Sequence, residues 1–127
     1  MKIEPYNKVD DVSLDIRDSE LLNHLGDPER QSTNSVGLLE FDFGSRVFRF
    51  DSTGTLNEVT IESEVIEVEG VAIPFKYLAS HINAEDAGAF VKYGFIVSPA
   101  FGVAFDPEHS PWVTVLTKTG LAAWEKV

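Results

Sequence analysis

The sequence predicts an α+β domain built on an antiparallel β-sheet meander, with two or three helices packed on one face of the sheet. Several short runs alternate apolar and polar residues with the period of a half-buried strand, whereas helical spacing of apolar residues occurs in only a few patches. Strands and helices do not alternate regularly, which argues against a parallel sheet. The 127 residues fit a single domain that spans 1–127.

The chain begins with an extended segment around residues 3–9, and a short amphipathic helix follows it. Asp18 is expected to cap the segment SELLNHL, because a side-chain oxygen at this position can accept from the free amides of the first turn. Leu21 and Leu25 lie four residues apart and would form its buried stripe. Gly26 is expected to end this helix in a left-handed conformation.

Three strands of the meander are predicted next, each with one apolar face and one charged face. Their connections are short and rich in Gly, Ser and Thr, as hairpin turns require. These strands are expected at residues 38–43, 45–50 and 56–61. A further strand at residues 65–68 ends at Gly70.

The next segment returns to helical spacing, with Phe75, Leu78 and Ile82 on one side. Asn83 has the chemistry of a second N-cap, so residues 83–94 are predicted to be helical as well. The pattern fits either two helices with a break near Asn83 or one bent helix.

The last third of the chain is strand-like again, with runs at residues 95–97, 102–105 and 112–117. The tail at residues 120–127 is expected to form a terminal helical turn.

A weak internal repeat links the two halves of the chain. Phe50-Asp51 and Phe105-Asp106 each end a strand and begin a turn rich in Ser, Pro, Gly or Thr, and a β-branched strand follows each turn. This similarity predicts two α-β-β-β half-repeats, at residues 12–63 and 74–117.

Composition narrows the class of function. The formal net charge is −11, from 21 acidic and 10 basic side chains. Such a surface repels phosphate backbones and attracts basic proteins, so we expect a protein partner and no nucleic acid. No run approaches the ~20 apolar residues of a membrane-spanning helix, and no membrane association is expected. The N-terminus carries no apolar signal segment, so the expected location is cytoplasmic.

The stretch FDPEHSPW brings carboxylates and a histidine together beside a tryptophan. Asp106, Glu108 and His109 have the chemistry of metal ligands, but the loop lacks the Gly of a calcium site and has a single His, fewer than zinc sites use. Pro107 after Asp106 fits a β-turn that the Asp106 carboxylate begins. We therefore expect a turn here. No catalytic residue, metal ligand or cofactor is assigned, and the chain is not expected to be an enzyme.

The sequence offers more candidate residues for protein binding than for catalysis or metal binding. Carboxylates in the N-terminal stretch and on the strand segments of residues 58–69 would present a surface for Lys and Arg side chains of a partner. The loop before the last strand would add an exposed tip and an aromatic anchor. The expected partner-binding residues are Asp10, Asp11, Asp15, Glu58, Glu62, Glu64, Glu67, Glu69, Glu108, His109 and Trp112.

Two segments of the first half, LLNHLGDP at residues 21–28 and FDSTGTLNEV at residues 50–59, carry a resemblance. In this order they resemble the unit of the beta-lactamase-inhibitor-like domains, which include small outer-membrane assembly lipoproteins. The stretch GFIVSPAFGVAFDPEHSPWVTVL at residues 94–116 is similar to small bacterial toxin-immunity proteins. The chain lacks the lipidation Cys of the lipoproteins, so envelope assembly is not implied. The resemblance implies a protein-binding module without catalysis.

The leading hypothesis is a cytoplasmic bacterial immunity or inhibitor-type protein that binds and neutralises a cognate, basic toxin or effector protein. The alternative is a small ligand- or metal-binding domain, or an enzyme of unknown reaction, that uses a cleft near residues 106–109.

Overall fold

The computed structural model describes all 127 residues and has the α+β architecture that the sequence predicts. The helices are α1 (Asp18–Leu25), α2 (Phe75–Glu85) and α3 (Lys118–Lys126). The strands are β1 (Lys2–Glu4), β2 (Lys8–Val9), β3 (Val12–Ser13), β4 (Arg30–Thr33), β5 (Leu39–Asp42), β6 (Arg46–Phe50), β7 (Leu56–Glu62), β8 (Val65–Val68), β9 (Val71–Pro74), β10 (Phe90–Lys92), β11 (Phe95–Ser98), β12 (Val103–Phe105) and β13 (Trp112–Leu116).

Five strands form a small sheet in the order β3-β2-β1-β8-β9. Strand β1 runs parallel to β8, with Ile3 opposite Val68, and the other neighbours are antiparallel. Glu69 and Gly70 form the turn between β8 and β9, and both have positive φ (52° and 81°), as a two-residue hairpin turn requires. The strand at residues 65–68 therefore belongs to a second layer, which the sequence pattern does not reveal.

Eight strands form a large, wholly antiparallel sheet in the order β10-β11-β12-β13-β7-β6-β5-β4. It consists of two four-stranded meanders, β4–β7 and β10–β13, joined at the centre where β13 pairs with β7. Helix α1 precedes the first meander and α2 precedes the second. Two similar units joined through their last strands would give this strand order. The half-repeats at residues 12–63 and 74–117, as repeats of sequence, stay a prediction.

The main core lies between the inner face of the large sheet, the small sheet and the helices α1 and α2. Phe48, Val59 and Val115 lie opposite one another on β6, β7 and β13, and all three are fully buried. Phe75 at the start of α2 packs edge-on against Phe105, with ring centroids 5.7 Å apart. The small sheet and α1 complete this core with Ile3, Val9, Val12, Leu21, Ile66, Val68 and Ile73.

Helices α1 and α2 pack on the inner face of the large sheet, which agrees with the predicted two helices on one face, whereas α3 lies on the opposite, outer face. Val103 and Phe105 belong to the main core, whereas Ala104 between them belongs to a second cluster. Leu121 and Trp124 of α3 cover that second cluster. The alternation of side chains along β12 therefore places α2 and α3 on different sides of the sheet.

Close contact with β7 holds α3 on this outer face. A Cβ atom on Gly120 would lie 2.1 Å from the carbonyl oxygen of Asn57, so only glycine fits there. At the helix start, the Thr117 hydroxyl accepts from the Gly120 N–H at 3.1 Å. The position of α3, and of Trp124 on it, thus depends on a small residue.

Two segments differ from the predicted elements. Helix α2 ends at Glu85, and residues 90–98 form a hairpin instead of continuing a helix. Tyr93 and Gly94 form its turn, with φ of 53° and 81°, so this glycine turns a hairpin and does not end a helix. Strand β4 has no apolar residue and was not predicted; its pairing with β5 holds it in the sheet.

Candidate functional site

The outer face of the large sheet is only partly covered, and its uncovered part is the candidate functional site. Val59 of β7 packs in the main core, so its neighbours Glu58 and Thr60 lie on the outer side. Arg49 of β6 and Thr114 of β13 lie opposite them. Helix α3 packs on β7 and β13 and covers part of this side. We call the remainder the open face, defined by Arg30, Glu40, Asp42, Arg49, Glu58, Thr60, Glu62, Trp112 and Thr114.

A cleft of about 430 Å³ lies on the open face beside α3, and we call it the aromatic cleft. The central strands supply a polar floor with Arg49, Glu58, Thr60 and Thr114. Phe95 of β11, Trp112 at the start of β13 and Trp124 of α3 form an aromatic wall. Asp106 and His109, in the loop between β12 and β13, form the rim.

A second hollow of about 560 Å³ adjoins the aromatic cleft on the open face and reaches the edge strand β4. Arg49 lines both hollows, and Arg30 pairs with Asp42 at 3.0 Å in the second one. Together the two hollows cross five strands, from β13 through β7, β6 and β5 to β4. At about 4.8 Å between neighbouring strands, this is a distance of roughly 19 Å across the sheet.

Arg49 organises the floor of the aromatic cleft through two cross-strand ion pairs. Its Nε donates to Glu40 Oε2 at 2.5 Å, and its Nη1 donates to Glu58 Oε2 at 2.9 Å. Nη1 also donates to the Thr60 hydroxyl at 2.6 Å, and that hydroxyl shares a hydrogen bond of 2.9 Å with Thr114. The antiparallel register sets these pairs, because Glu40, Arg49 and Glu58 lie directly opposite one another on β5, β6 and β7.

The floor is acidic because one guanidinium faces two carboxylates. The side chains of Glu40, Arg49 and Glu58 are only 24%, 20% and 19% exposed. Burial raises the pKa of Glu58 above its usual range, the Arg49 charge opposes that rise, and the nearby Glu40 charge adds to it. A cation placed beside Glu58 would therefore relieve an unfavourable charge.

The wall of the cleft contains both tryptophans of the chain, Trp112 and Trp124. Trp124 packs against Phe95 with ring centroids 5.2 Å apart and planes tilted by 41°. Trp112 stands at the start of β13, opposite Glu62 of β7. Aromatic faces beside carboxylates favour a flat, cationic group.

The loop at the rim confirms the predicted turn. The Asp106 carboxylate accepts the Glu108 N–H at 2.9 Å, and the Asp106 carbonyl accepts the His109 N–H at 2.9 Å. His109 Nδ1 lies 3.6 Å from the second oxygen of Asp106. Asp106 thus begins the turn and also lines the cleft, while Glu108 is exposed beside it.

The expected partner-binding residues separate into three groups. Glu58, His109 and Trp112 line the aromatic cleft, and Glu62 and Glu108 lie next to lining residues. The other two groups lie elsewhere: Asp10, Asp11 and Asp15 follow β2 and β3, and Glu64, Glu67 and Glu69 lie on or beside β8 of the small sheet.

The N-terminal group is partly engaged within the chain itself. Asp11 lies 3.4 Å from His24 and 3.6 Å from Arg46, and the Asp11 pKa is lowered, chiefly by a hydrogen bond with its own backbone. Asp15 accepts from the Ser13 hydroxyl at 2.6 Å. These carboxylates are less available to a partner than their exposure suggests.

Several residues that line the cleft were not among the expected partner-binding residues: Arg49, Thr60, Phe95, Asp106, Thr114 and Trp124. Part of the signal was present, because the alternation along β6 and β7 separates Arg49, Glu58 and Thr60 from the apolar residues. The pairing of β13 with β7, which brings Thr114 to Thr60, has no local signature in the sequence.

Comparisons of the chain with protein-family models, with curated proteins and with solved structures found no match. No three His, Asp or Glu side chains come together in the arrangement that a metal ion needs. None of the helices combines the length and apolar character required to cross a membrane.

Proposed function

We propose that this protein is an inhibitor or immunity-type protein that binds a cognate basic protein through the open face of its large sheet. One observation carries the proposal: the two adjoining hollows of the open face, which we call the trough, contain more carboxylates than cations, and one of the hollows has an aromatic wall. Glu40, Asp42, Glu58 and Asp106 face two arginines there. The proposed location is cytoplasmic, as the sequence predicts.

The charge of the whole chain supports a basic partner. A net charge of −11 creates a field that attracts cationic surfaces and accelerates their encounter with the open face. The aromatic wall adds apolar contact area at the β13 end of the trough, and aromatic side chains of this kind often carry much of the energy of an interface. Charge would then guide the encounter, and the aromatic cleft would hold the partner.

The shape of the open face supports a macromolecular partner. The two hollows together cross five strands and are both open to solvent, whereas a small-molecule site buries most of the surface of its ligand. A partner that fills this trough would cover the open face and would itself be covered there, which is the simplest way for a small protein to block an effector.

Affinity capture with the tagged protein as bait in a native lysate tests this proposal. Glu62→Lys reverses an exposed charge opposite Trp112, and Glu85→Lys makes the same change at the end of α2, on the inner side of the sheet. We expect a basic protein to be retained by the wild type and by Glu85→Lys, and to bind Glu62→Lys about tenfold more weakly.

Salt gives a second readout of the same complex. Binding should weaken steadily between about 50 and 500 mM salt, because exposed charges are screened beyond a Debye length. Capture of no partner, equal retention by Glu62→Lys and Glu85→Lys, or indifference to salt would each contradict the proposal.

The alternative function, a small ligand-binding domain or enzyme, would use the same aromatic cleft. The observation that favours it is a carboxyl with a raised pKa, Glu58, in a cleft whose rim holds Asp106 and His109. It predicts that a small molecule or metal ion raises the melting temperature of the protein. Asp106→Ala and His109→Ala should each abolish that rise, whereas the inhibitor proposal requires no such ligand.

A further inference from the structure

We infer that the aromatic cleft is a receptor for an arginine side chain of the partner, which places its guanidinium between the aromatic wall and the carboxylates of Glu58 and Asp106. This inference rests on the proposed function, since it names the residue type that the open face recognises. The inference applies only to the aromatic cleft, whose lining residues are given above.

The aromatic wall selects a flat group. Phe95, Trp112 and Trp124 are the three apolar side chains that line the cleft. A guanidinium is planar and weakly hydrated, so it can stack on such rings and gain cation–π attraction. A lysine ammonium is a compact, strongly hydrated charge and loses more of its hydration in the same place.

The carboxylates select a cation. Arg49 uses Nε for Glu40 and Nη1 for Glu58 and Thr60, so its charge is already balanced by two carboxylates. An incoming anion would meet Asp106 and the acidic floor, and it would be repelled. An incoming guanidinium would instead extend the alternating order of carboxylate and guanidinium that the floor already contains.

One carboxylate oxygen of Glu58 can accept a hydrogen bond from the guanidinium of the partner. The bonds to Arg49 use Oε2 of Glu58, and no protein donor contacts its Oε1. Asp106 accepts the Glu108 N–H through Oδ1, and its Oδ2 lies 3.6 Å from His109. Glu58 and Asp106 both line this cavity, and their carboxylates match the several N–H donors of a guanidinium.

Titration with N-acetyl-arginine amide tests the inference, because this probe carries the side chain without free termini. The protein reports on its own cleft, since both of its tryptophans line it and any occupant changes their fluorescence. Matched probes are N-acetyl-lysine amide and N-acetyl-citrulline amide, which is the neutral isostere. A single side chain should bind weakly, so each titration runs to about 50 mM at low salt.

We expect a saturable fluorescence change with the arginine probe, at least about tenfold weaker binding of the lysine probe, and no saturation with the citrulline probe. Asp106→Asn and Glu58→Gln should each weaken arginine binding, whereas Glu85→Gln on α2 should not. Thermal melts verify that each variant is folded. If Glu58→Gln fails to fold, Asp106→Asn carries the comparison, and the indole N–H signals of both tryptophans in NMR spectra provide a second readout.

Three results would overturn the inference: no saturable response to arginine, equal binding of all three probes, or arginine binding that both carboxyl variants leave unchanged. The proposed function fails separately. A basic partner captured by a protein that ignores the arginine probe would leave the inhibitor proposal standing without this inference. An arginine site on a protein that captures no partner would support a small-ligand site instead.

Discussion

Arg49 and Glu58 lie directly opposite each other in the antiparallel pair of β6 and β7, and the arginine donates to the glutamate at 2.9 Å. The same guanidinium binds Glu40 of β5 at 2.5 Å. One cation therefore pairs with two carboxylates in a half-buried floor. This contact links the stability of the sheet to the charge of the aromatic cleft.

Arg49→Met should destabilise the protein by about 1–3 kcal/mol, less than the about 3–5 kcal/mol expected for breaking a fully buried pair, because all three side chains retain some exposure. Urea unfolding monitored by tryptophan fluorescence measures the change. Arg30→Met is the matched control: Arg30 is 82% exposed and pairs with Asp42 on the same face, so its loss should cost no more than about 0.5 kcal/mol. Equal losses for the two variants would contradict this account of the floor.

Different carboxyl groups of the protein should give the free energy of unfolding opposite slopes against pH. Glu58 should make it fall as pH rises. Burial raises its folded-state pKa above the usual 4.5, so the folded protein holds this proton more tightly than the unfolded chain. The stabilisation from protonated Glu58 is complete below pH 4.5 and is lost as pH rises through the raised pKa.

The comparison with Glu58→Gln isolates this group, because glutamine does not titrate. The unfolding free energy of the wild type, relative to the variant, should fall as pH rises above 4.5 and become level once Glu58 is ionised. Urea unfolding at intervals from about pH 4 to about pH 8 tests it. A difference that stays constant or grows with pH over that range is incompatible with the raised pKa.

Much of the fold was predictable wherever local pattern and final packing agree. Strands β5, β6 and β7 were predicted from their alternation, because each buries one face only. Strand β4 was missed because all four of its residues are exposed, and backbone pairing alone holds it. Residues 83–94 were predicted to be helical because their apolar spacing fits a helix as well as a strand. The turn at Tyr93 and Gly94 instead joins β10 and β11 in a hairpin.

The candidate site was predictable only in part. Glu58, His109 and Trp112 were expected partner-binding residues and line the aromatic cleft, but the expectation joined them to carboxylates that lie on the small sheet. Arg49 and Trp124 were missed. Their place in the site depends on the β13–β7 pairing and on the outer position of α3, which are long-range features.

Asp86→Ala should destabilise the protein by about 3 kcal/mol, because it leaves hydrogen-bond donors unsatisfied at a buried position. The Asp86 carboxylate accepts from the Ser98 hydroxyl at 2.7 Å, from the Ala100 N–H at 3.1 Å and from the Gly88 N–H at 2.9 Å. These bonds tie the end of α2 to the turn after β11. Glu85→Ala, at the exposed neighbouring residue, should change stability by no more than about 0.5 kcal/mol.

Asp86 should make the free energy of unfolding depend on pH in the direction opposite to Glu58. Burial pushes its pKa upward, but the hydrogen bonds from Ser98, Ala100 and Gly88 outweigh burial and hold the pKa below the usual 3.8. Its stabilisation is present above pH 3.8 and is lost as pH falls through the lowered pKa. The advantage of the wild type over Asp86→Asn should therefore shrink only in that acid range, and an advantage that persisted there would count against the assignment.

Gly120→Ala should displace α3 and damage the aromatic cleft along with the fold. The added Cβ would lie 2.1 Å from the Asn57 carbonyl oxygen, so the helix must move away from β7. Overpacking of this kind costs about 1–3 kcal/mol. Because Trp124 is carried on the same helix, the fluorescence response to an arginine probe should also weaken. Thr119→Ala, at the exposed preceding residue, should leave both the melting temperature and the response near wild type. If Gly120→Ala lowered stability and left the probe response intact, α3 would not be the wall that the cleft depends on.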